Sequence, residues 1–207
     1  MKSREEKLIR RIAKGDEAAF AELVTTYQHL VYSTALGICQ NREDALDISQ
    51  EVFLRIYRCL NGFRFESALS TWIYRICVTV ALDHGRARNR RAALSLTLGE
   101  EEGAWDVPDE EHAPERMLEQ ILTAEDIRRG MEQLSEEYRV VFTLRDVQGL
   151  SYAEIAAVTG LETGTVKSRL SRAREKMRRF LLENGTCEPP FSSNEKKKRE
   201  GGGTDEL

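Results

Sequence analysis

The chain has 207 residues, of which 41% are hydrophobic and 32% charged, and its formal net charge at pH 7 is −4. This composition supports one or two compact soluble domains and excludes a membrane protein. The longest stretch without Asp, Glu, Lys or Arg, residues 23–41, contains several polar side chains, and the N-terminus lacks the apolar core of a signal peptide. We therefore expect a cytoplasmic protein.

The charge is unevenly distributed along the chain. Residues 1–91 carry 15 basic and 11 acidic side chains, residues 127–182 carry 11 basic and seven acidic ones, and each block has a net charge of +4. Residues 92–126 between them have a net charge of −10. Because salt screens exposed charges beyond roughly 8–10 Å, local charge governs phosphate binding, and the negative total does not exclude a nucleic-acid partner.

The first block is predicted to be entirely helical. Asp16 is a candidate N-cap for a first long helix, and a second helix after Asn41 has an apolar stripe with a period near four, formed by Ala45, Ile48, Val52, Ile56 and Leu60. Asn61-Gly62 ends this helix in a turn. A third helix is predicted to begin near Ser70 and to end in a cationic cluster formed by Arg86, Arg88, Arg90 and Arg91, which suits phosphate binding.

Residues 92–115 form an acidic connector that lacks a sustained apolar period. Two glycines and two prolines, at positions 99, 103, 108 and 114, interrupt any regular element, and like charges favour an extended chain. We expect a flexible linker here, whose carboxylates could occupy the path of a nucleic-acid strand in a basic channel.

The segment from Ser151 to Met177 is predicted to be a helix-turn-helix. Ser151 and Glu154 have the spacing of a capping box, and Gly160 ends the first helix where a positive φ is favoured. In the second helix, Val166, Leu170, Ala173 and Met177 share one face, and Lys and Arg side chains occupy the remaining surface. A braced helix with a basic outer face has the geometry of a major-groove reader. An amphipathic surface helix with solvated charges is the alternative.

The four cysteines show neither a CxxC pair nor a histidine at zinc-ligand spacing. Cys39, Cys59 and Cys77 lie within apolar helical patterns, so we expect them to be buried free thiols. Cys187 belongs to the tail after Leu182, which we expect to be disordered because it contains Pro189-Pro190, a KKKR run and GGG. We expect no metal site and no cofactor.

Three blocks of the sequence stand out: EDALDISQEVFLRIYR at 43–58, STWIYRICVTVALDHGRARNRR at 70–91, and the paired helices at 151–177 with the segment that leads into them. In their order and spacing, these blocks resemble bacterial RNA polymerase sigma factors of the small extracytoplasmic-function (ECF) group. The resemblance covers about residues 10–182. It implies an all-α protein with an N-terminal domain at 1–91, an acidic linker at 92–115, a C-terminal domain at 116–182 that contains the helix-turn-helix, and a tail at 183–207.

The resemblance also implies a partner for the second helix, which in this family binds the clamp coiled coil of the largest subunit of core RNA polymerase. The residues that it implicates here surround an apolar anchor with polar groups: Asp47, Gln50, Glu51, Phe53 and Leu54. Such a surface suits an interface with an apolar core and a polar rim. A solvated helix face is the alternative that periodicity alone does not reject.

The loop at 61–69 and the helix after it resemble the part of the family that opens the minus-ten promoter element. Aromatic and cationic side chains stabilise captured single-stranded bases, and the candidates are Asn61, Phe63, Arg64, Phe65, Trp72, Arg75, Arg86, Arg88 and Arg90. For Trp72 we also expect a place in the core. The family usually has Asn where this chain has Thr79, so no DNA contact is assigned to Thr79. The family usually has proline where this chain has Ser135, and serine is a good helix cap.

The C-terminal helix-turn-helix would read the minus-thirty-five element. The candidate contacts are Thr163, Thr165, Lys167, Ser168, Arg169 and Arg172. The resemblance implies promoter-specific initiation with core polymerase, no catalytic chemistry, and control by an anti-sigma protein, often membrane-linked. Two alternatives are a stand-alone helix-turn-helix regulator that uses residues 127–182 and a helical nuclease.

Overall fold

The computed structural model describes the backbone of residues 2–98 and 125–184 and the side chains of residues 4–91 and 125–184, and within these ranges the chain forms helices and no strands. The helices are α1 (Lys2–Ile12), α2 (Glu17–Cys39), α3 (Arg42–Cys59), α4 (Leu69–Leu98), α5 (125–132), α6 (Glu136–Phe142), α7 (Tyr152–Thr159) and α8 (Thr163–Glu183). A 3₁₀ turn, Leu60–Gly62, follows α3, and a π-helical segment, Thr143–Val147, follows α6. The prediction of an all-α fold is confirmed.

Helices α2–α4 begin and pack as their sequences predict, and they are preceded by α1, which was not predicted as a separate helix. The Asp16 side chain accepts a hydrogen bond from the backbone N–H of Ala19 at 3.0 Å and caps α2. The Asn41 side chain caps α3 in the same way, through the N–H of Asp44 at 2.9 Å. All five residues of the apolar face predicted for the second helix are buried, against α2 and α4.

Helix α4 is longer than predicted. It continues through residues 92–98, which the sequence analysis assigned to the linker. Those residues, AALSLTL, are mostly good helix formers, and Gly99 is the first residue that disfavours a helix. The acidic remainder of the predicted linker, residues 99–115, lies outside the described residues.

The C-terminal helices, α5–α8, contain the predicted helix-turn-helix. The capping box is present: the backbone N–H of Ser151 donates to a carboxylate oxygen of Glu154 at 2.8 Å, and the N–H of Glu154 donates to the Ser151 hydroxyl at 3.3 Å. Gly160 ends α7 with a φ of +73°. The predicted apolar face of α8 (Val166, Leu170, Ala173 and Met177) is buried.

Replacing Ser151 by alanine tests this cap. We expect Ser151→Ala to lower the free energy of unfolding by about 1 kcal/mol, because it leaves a helix N–H unsatisfied. Ser135→Ala is the matched control, because Ser135 also precedes a helix but makes no side-chain capping hydrogen bond with a described residue. Equal losses of stability for the two variants in urea denaturation would contradict this prediction.

The two variants should also differ in how their stability depends on pH. Hydrogen bonds with the side chain and the backbone of Ser151 hold the pKa of Glu154 below its usual value. The associated stability is therefore present above the unfolded pKa, about 4.3, and is lost as the pH falls through the lower folded pKa. Ser151→Ala should weaken this acid dependence, whereas Ser135→Ala should leave it unchanged.

The N-terminal and C-terminal helices share one hydrophobic core. Val140, Val141 and Leu144 belong to the same buried cluster as Leu23 and Ile73. The contacts between the two sets run from α4 to α7, and from α2 to α6 and the π-helical segment. A smaller cluster, formed by Met131, Leu134, Ala173 and Met177, lies within the C-terminal helices.

The three described cysteines differ in exposure. Cys77 is buried, and burial raises the pKa of its thiol to about 12. Cys39 is half-buried, and burial raises its pKa as well. The prediction that Cys59 is buried is wrong: this thiol is exposed. Cys59 is the last residue of α3, and the buried stripe passes from Ile56 directly to Leu60.

Candidate functional site

The outer face of α3 is the first candidate surface. Of the residues predicted to bind polymerase, Asp47, Gln50 and Leu54 are exposed, and Glu51 and Phe53 are half-buried. Helical periodicity places Asp47, Gln50 and Leu54 on the side of α3 that faces away from α2 and α4. Glu51 and Phe53 lie at the two edges of this side, and Phe53 packs partly against the core. The predicted set therefore shares one accessible face.

Two apolar side chains on this face were missed by the sequence analysis. Leu46 and Tyr57 are 54% and 53% exposed, similar to Leu54 at 50%. The Tyr57 ring packs edge-on against Phe20, with centroids 5.0 Å apart, which fixes its orientation. Leu46, Leu54 and Tyr57 are three of the six large hydrophobic side chains that are exposed in the described part of the chain. Such clustering distinguishes a binding surface from scattered exposed apolar residues. We call these three residues, with Phe53, the α3 stripe.

The loop between α3 and α4, which we call the aromatic loop, places the Phe63 and Phe65 rings beside that of Trp72 in the first turn of α4. The Phe63 ring lies 4.9 Å from that of Phe65 and 5.3 Å from that of Trp72, measured between centroids. Phe65 is 39% exposed and has a φ of +58°. Non-glycine residues rarely adopt such a φ, and strained backbone is concentrated at functional sites. Trp72 is half-buried against the core, which agrees with the core placement expected for it.

Several of the cations predicted for the minus-ten surface make contacts within the protein. Arg88 donates to the carboxylate of Asp44 at 2.9 Å, and Arg86 lies 3.6 Å from that of Asp83. Arg75 on α4 donates to the backbone carbonyl of Ala157 on α7 at 2.7 Å. The two remaining arginines predicted for the minus-ten surface, Arg64 and Arg90, are exposed, and so is the Asn61 side chain. The Thr79 hydroxyl donates to the carbonyl of Arg75 at 2.8 Å, a local bond within α4.

The first turns of α8 form the third candidate surface. Thr163, Lys167, Ser168 and Arg172 are exposed there. Thr165 is half-buried and accepts a hydrogen bond from the Ser168 hydroxyl through its backbone carbonyl at 3.0 Å. The remaining candidate is Arg169, which forms an ion pair with Glu137 at 2.9 Å and thereby ties α8 to α6.

A groove of about 330 Å³ beside this surface was also missed by the sequence analysis. It is lined by Tyr152, Lys167, Leu170, Ser171, Arg174, Glu175 and Arg178. The Lys167 ammonium lies 5.8 Å from the centre of the Tyr152 ring, within reach of a cation–π contact. Arg174 is hydrogen-bonded to Asp146, and this bond raises the pKa of the guanidinium. The groove is therefore lined by basic side chains next to the proposed DNA-binding residues of α8, with Arg174 paired to Asp146 and Glu175 as an acidic member.

Comparison with known proteins identifies the family to which the chain belongs. The "Sigma-70 region 2" family model matches residues 23–91, which include α3 and the aromatic loop. The "Sigma-70, region 4" family model matches residues 124–177, which include the helix-turn-helix. The RNA polymerase sigma-H factor of Pseudomonas aeruginosa is 37% identical over 181 residues, which are 86% of this chain and 93% of that protein. The chain belongs to the sigma-70 family of sigma factors.

One further relative places the sigma factor within the ECF group, and a solved structure supports its fold. The ECF RNA polymerase sigma-E factor of Escherichia coli K12 is 39% identical over 174 residues, which are 81% of this chain and 89% of that protein. The sigma factor RpoE of Bartonella quintana, solved in complex with the anti-sigma factor NepR, has a TM-score of 0.63 at 23% identity, over 79% of this chain and 96% of that one. The family is defined by transcription initiation and not by catalysis of its own. Within the described ranges, no helix has both the length and the apolar character needed to cross a bilayer.

Proposed function

We propose that the sigma factor binds core RNA polymerase through the outer face of α3 and directs it to promoters through two DNA-binding surfaces. The α3 stripe is the observation that carries this proposal. An exposed apolar stripe with Asp47, Gln50 and Glu51 beside it has the composition of a protein interface, with an apolar centre and a polar rim. The clamp coiled coil of the largest polymerase subunit is the partner that we assign to it.

The aromatic loop and α4 would bind the minus-ten element. Phe65 and Phe63 offer ring faces on which unpaired bases can stack, and Trp72 supports Phe63 from the core side. Arg64 is the exposed cation nearest to these rings in sequence, and Arg75, Arg86, Arg88 and Arg90 would hold the DNA backbone along α4.

The first turns of α8 would bind the minus-thirty-five element, through the six residues from Thr163 to Arg172 named above.

We divide the chain accordingly into a minus-ten and polymerase-binding domain at 1–91, an acidic linker at 92–115, a minus-thirty-five domain at 116–182 and a tail at 183–207. Because a sigma factor works with polymerase on the chromosome, we expect a cytoplasmic protein without catalytic residues, metal or cofactor.

We also propose control by an anti-sigma factor. The Bartonella sigma factor RpoE was solved in complex with the anti-sigma factor NepR. CnrH was solved in complex with the cytosolic domain of CnrY, and it is 25% identical to this chain, with a TM-score of 0.59 over 86% of this chain and 96% of that one. A protein encoded beside this gene is the candidate partner, and it could be anchored in the membrane. Co-purification tests this point, and absence of binding to every neighbouring gene product would contradict it.

Reconstituted transcription tests the central proposal. Core polymerase with the sigma factor should produce start-site-specific transcripts from a library of genomic promoter fragments, whereas core polymerase alone should not. A protein that binds promoter duplex but neither binds polymerase nor yields specific transcripts would instead be a stand-alone regulator. That alternative gives no role to the α3 stripe.

Two lysines on α8 test the minus-thirty-five surface. Lys167 lies over Tyr152, with its ammonium 5.8 Å from the ring centre, and Lys176 lies over Tyr138 at 5.2 Å. Lys176 is more than two turns further along the helix, so the lysines match in type and packing but differ in position. We expect Lys167→Ala to weaken binding to the minus-thirty-five duplex and to reduce the salt slope by about 1, as loss of one phosphate contact requires. Lys176→Ala should change both less, and equal effects would contradict the assignment.

A further inference from the structure

The face of α4 that is proposed to hold DNA contains one carboxylate. Asp83 is the only acidic residue among the 30 residues of α4, and it is exposed. Resting on the function proposed above, we propose that Asp83 is a specificity-determining residue. Its carboxylate accepts a hydrogen bond from the exocyclic amino group of a cytosine, in the duplex directly upstream of the opened minus-ten element.

Helical periodicity places Asp83 on the same face as the proposed backbone contacts. At about 100° per residue, Thr79, Asp83, Arg86 and Arg90 lie within roughly 60° of one another around the α4 axis. All four are exposed. A carboxylate on a surface that faces phosphates is repelled by them, so it weakens DNA binding unless it has a partner on the bases.

The ion pairs of Asp83 leave its oxygens able to accept hydrogen bonds. Arg55 of α3 lies 3.7 Å from one carboxylate oxygen, and Arg86 lies 3.6 Å from the other. Both distances are longer than a hydrogen bond, and Arg55 donates instead to Glu51 at 2.8 Å. Exposed pairs of this kind contribute little to stability. The two arginines therefore offset the charge of Asp83 near DNA without occupying its oxygens.

The chemistry of the major groove favours cytosine as the partner. An ionised carboxylate can only accept hydrogen bonds, and cytosine presents the N4 amino group as a donor. Adenine presents its N6 amino group beside the N7 acceptor, an arrangement that suits an amide better than a carboxylate. Guanine and thymine present acceptor atoms, which would repel Asp83.

The neighbouring residue on this face, Thr79, is less suited to contact a base. Its hydroxyl donates to the backbone carbonyl of Arg75 at 2.8 Å, so its donor is used within the helix. Asp83 lies one turn further along α4, and neither of its oxygens accepts a hydrogen bond within the described part of the chain. Base recognition on this part of α4 is therefore assigned to Asp83.

The length of α4 limits where the cytosine can lie. Asp83 is 11 residues beyond Trp72, or about 16 Å along the helix axis, which corresponds to at most about five base pairs. Helix α4 leads away from the aromatic loop towards the segment that connects it to the minus-thirty-five surface. The base pairs beside Asp83 are therefore upstream of the captured bases.

A promoter library tests this assignment. About five duplex positions directly upstream of the captured bases are randomised, and the fragments that the reconstituted holoenzyme binds and transcribes are sequenced. The wild-type protein should favour cytosine over thymine at one position by about fivefold or more.

Two substitutions of Asp83 should change this preference in different ways. Asp83→Ala removes the acceptor, so all four bases at that position should be bound within about twofold of one another. Fragments without the cytosine should be bound at least as tightly as by the wild type, because a charge that repels phosphates is gone. Asp83→Asn should shift the preference to adenine, since an amide contacts N6 and N7 together.

Arg55→Gln is the control for a purely structural role of Asp83. It removes the ion pair between α3 and Asp83 but leaves the carboxylate on the DNA-facing surface. The preference for cytosine should therefore persist in the transcribed fragments, even if binding to polymerase weakens. Loss of the preference in Arg55→Gln to the same extent as in Asp83→Ala would show that Asp83 acts only through its ion pair, and would overturn the proposal.

Other results would also overturn the proposal. These are a wild-type protein without a base preference in this window, a wild-type preference for a base other than cytosine, and an unchanged preference in Asp83→Ala. Failure of the wild-type protein to direct specific transcription from any fragment would instead contradict the proposed function itself.

Discussion

Replacing Leu54 by aspartate should weaken binding of the sigma factor to core polymerase by about 30-fold or more, which corresponds to about 2 kcal/mol. Leu54 is 50% exposed on the α3 stripe and lies beside Gln50 and Tyr57. In an interface its apolar contact would be lost, and a carboxylate would be desolvated without a partner. Binding to immobilised core polymerase measures this effect, and transcription should fall in parallel.

A matched control separates this loss from general damage. Val147 is also 50% exposed but lies on the π-helical segment, away from α3. Val147→Asp introduces the same charge at an equally exposed apolar position, and we expect it to leave polymerase affinity nearly unchanged. Melting temperatures of both variants should be recorded. Similar losses of affinity for the two variants would remove the α3 stripe from the interface.

Phe65→Gly should separate promoter opening from folding. Glycine adopts a φ of +58° without strain, so the fold should be unchanged or slightly stabilised. The ring, however, would no longer be available for stacking, which is worth roughly 1–3 kcal/mol per base, or about 5- to 150-fold in affinity. We expect this loss in binding of the reconstituted holoenzyme to a single-stranded minus-ten oligonucleotide.

The minus-thirty-five duplex is the internal control for this variant. We assign binding of that duplex to α8, so Phe65→Gly should not alter it. Fluorescence of a base analogue within the minus-ten element would report opening on the full promoter. Normal opening by Phe65→Gly would show that Phe65 is strained for a reason other than base capture.

Much of the local structure could be predicted because its causes are local. A capping side chain and its target N–H are close in sequence, so Asp16, Ser151 and Gly160 could be assigned from the sequence alone. The buried faces of α3 and α8 follow from helical periodicity, since an amphipathic helix exposes only one side. The same periodicity would have added Leu46 and Tyr57 to the α3 stripe, had it been applied to the exposed side.

Features that depend on distant residues were not predictable in this way. Gly37 of α2 and Thr143 are more than 100 positions apart, yet a Cβ atom on Gly37 would lie 2.5 Å from the Thr143 Cγ2 atom. Nothing in the sequence near either residue indicates the other. The positive φ of Phe65 goes against the local preference of a bulky side chain. The exposure of Cys59, by contrast, has a local cause, because the buried stripe passes from Ile56 directly to Leu60.

The unbroken length of α4 has a mechanical consequence. Trp72 and Arg90 lie on one continuous helix, and at 1.5 Å per residue they are about 27 Å apart along its axis. That distance equals roughly eight base pairs of duplex. The helix fixes both the distance between its two ends and their relative orientation, because inserting one residue would shift one end and also rotate it by about 100°. The distance between Trp72, which supports the proposed base-capture site, and Arg90, a proposed contact to the DNA backbone, is therefore set by the helix itself.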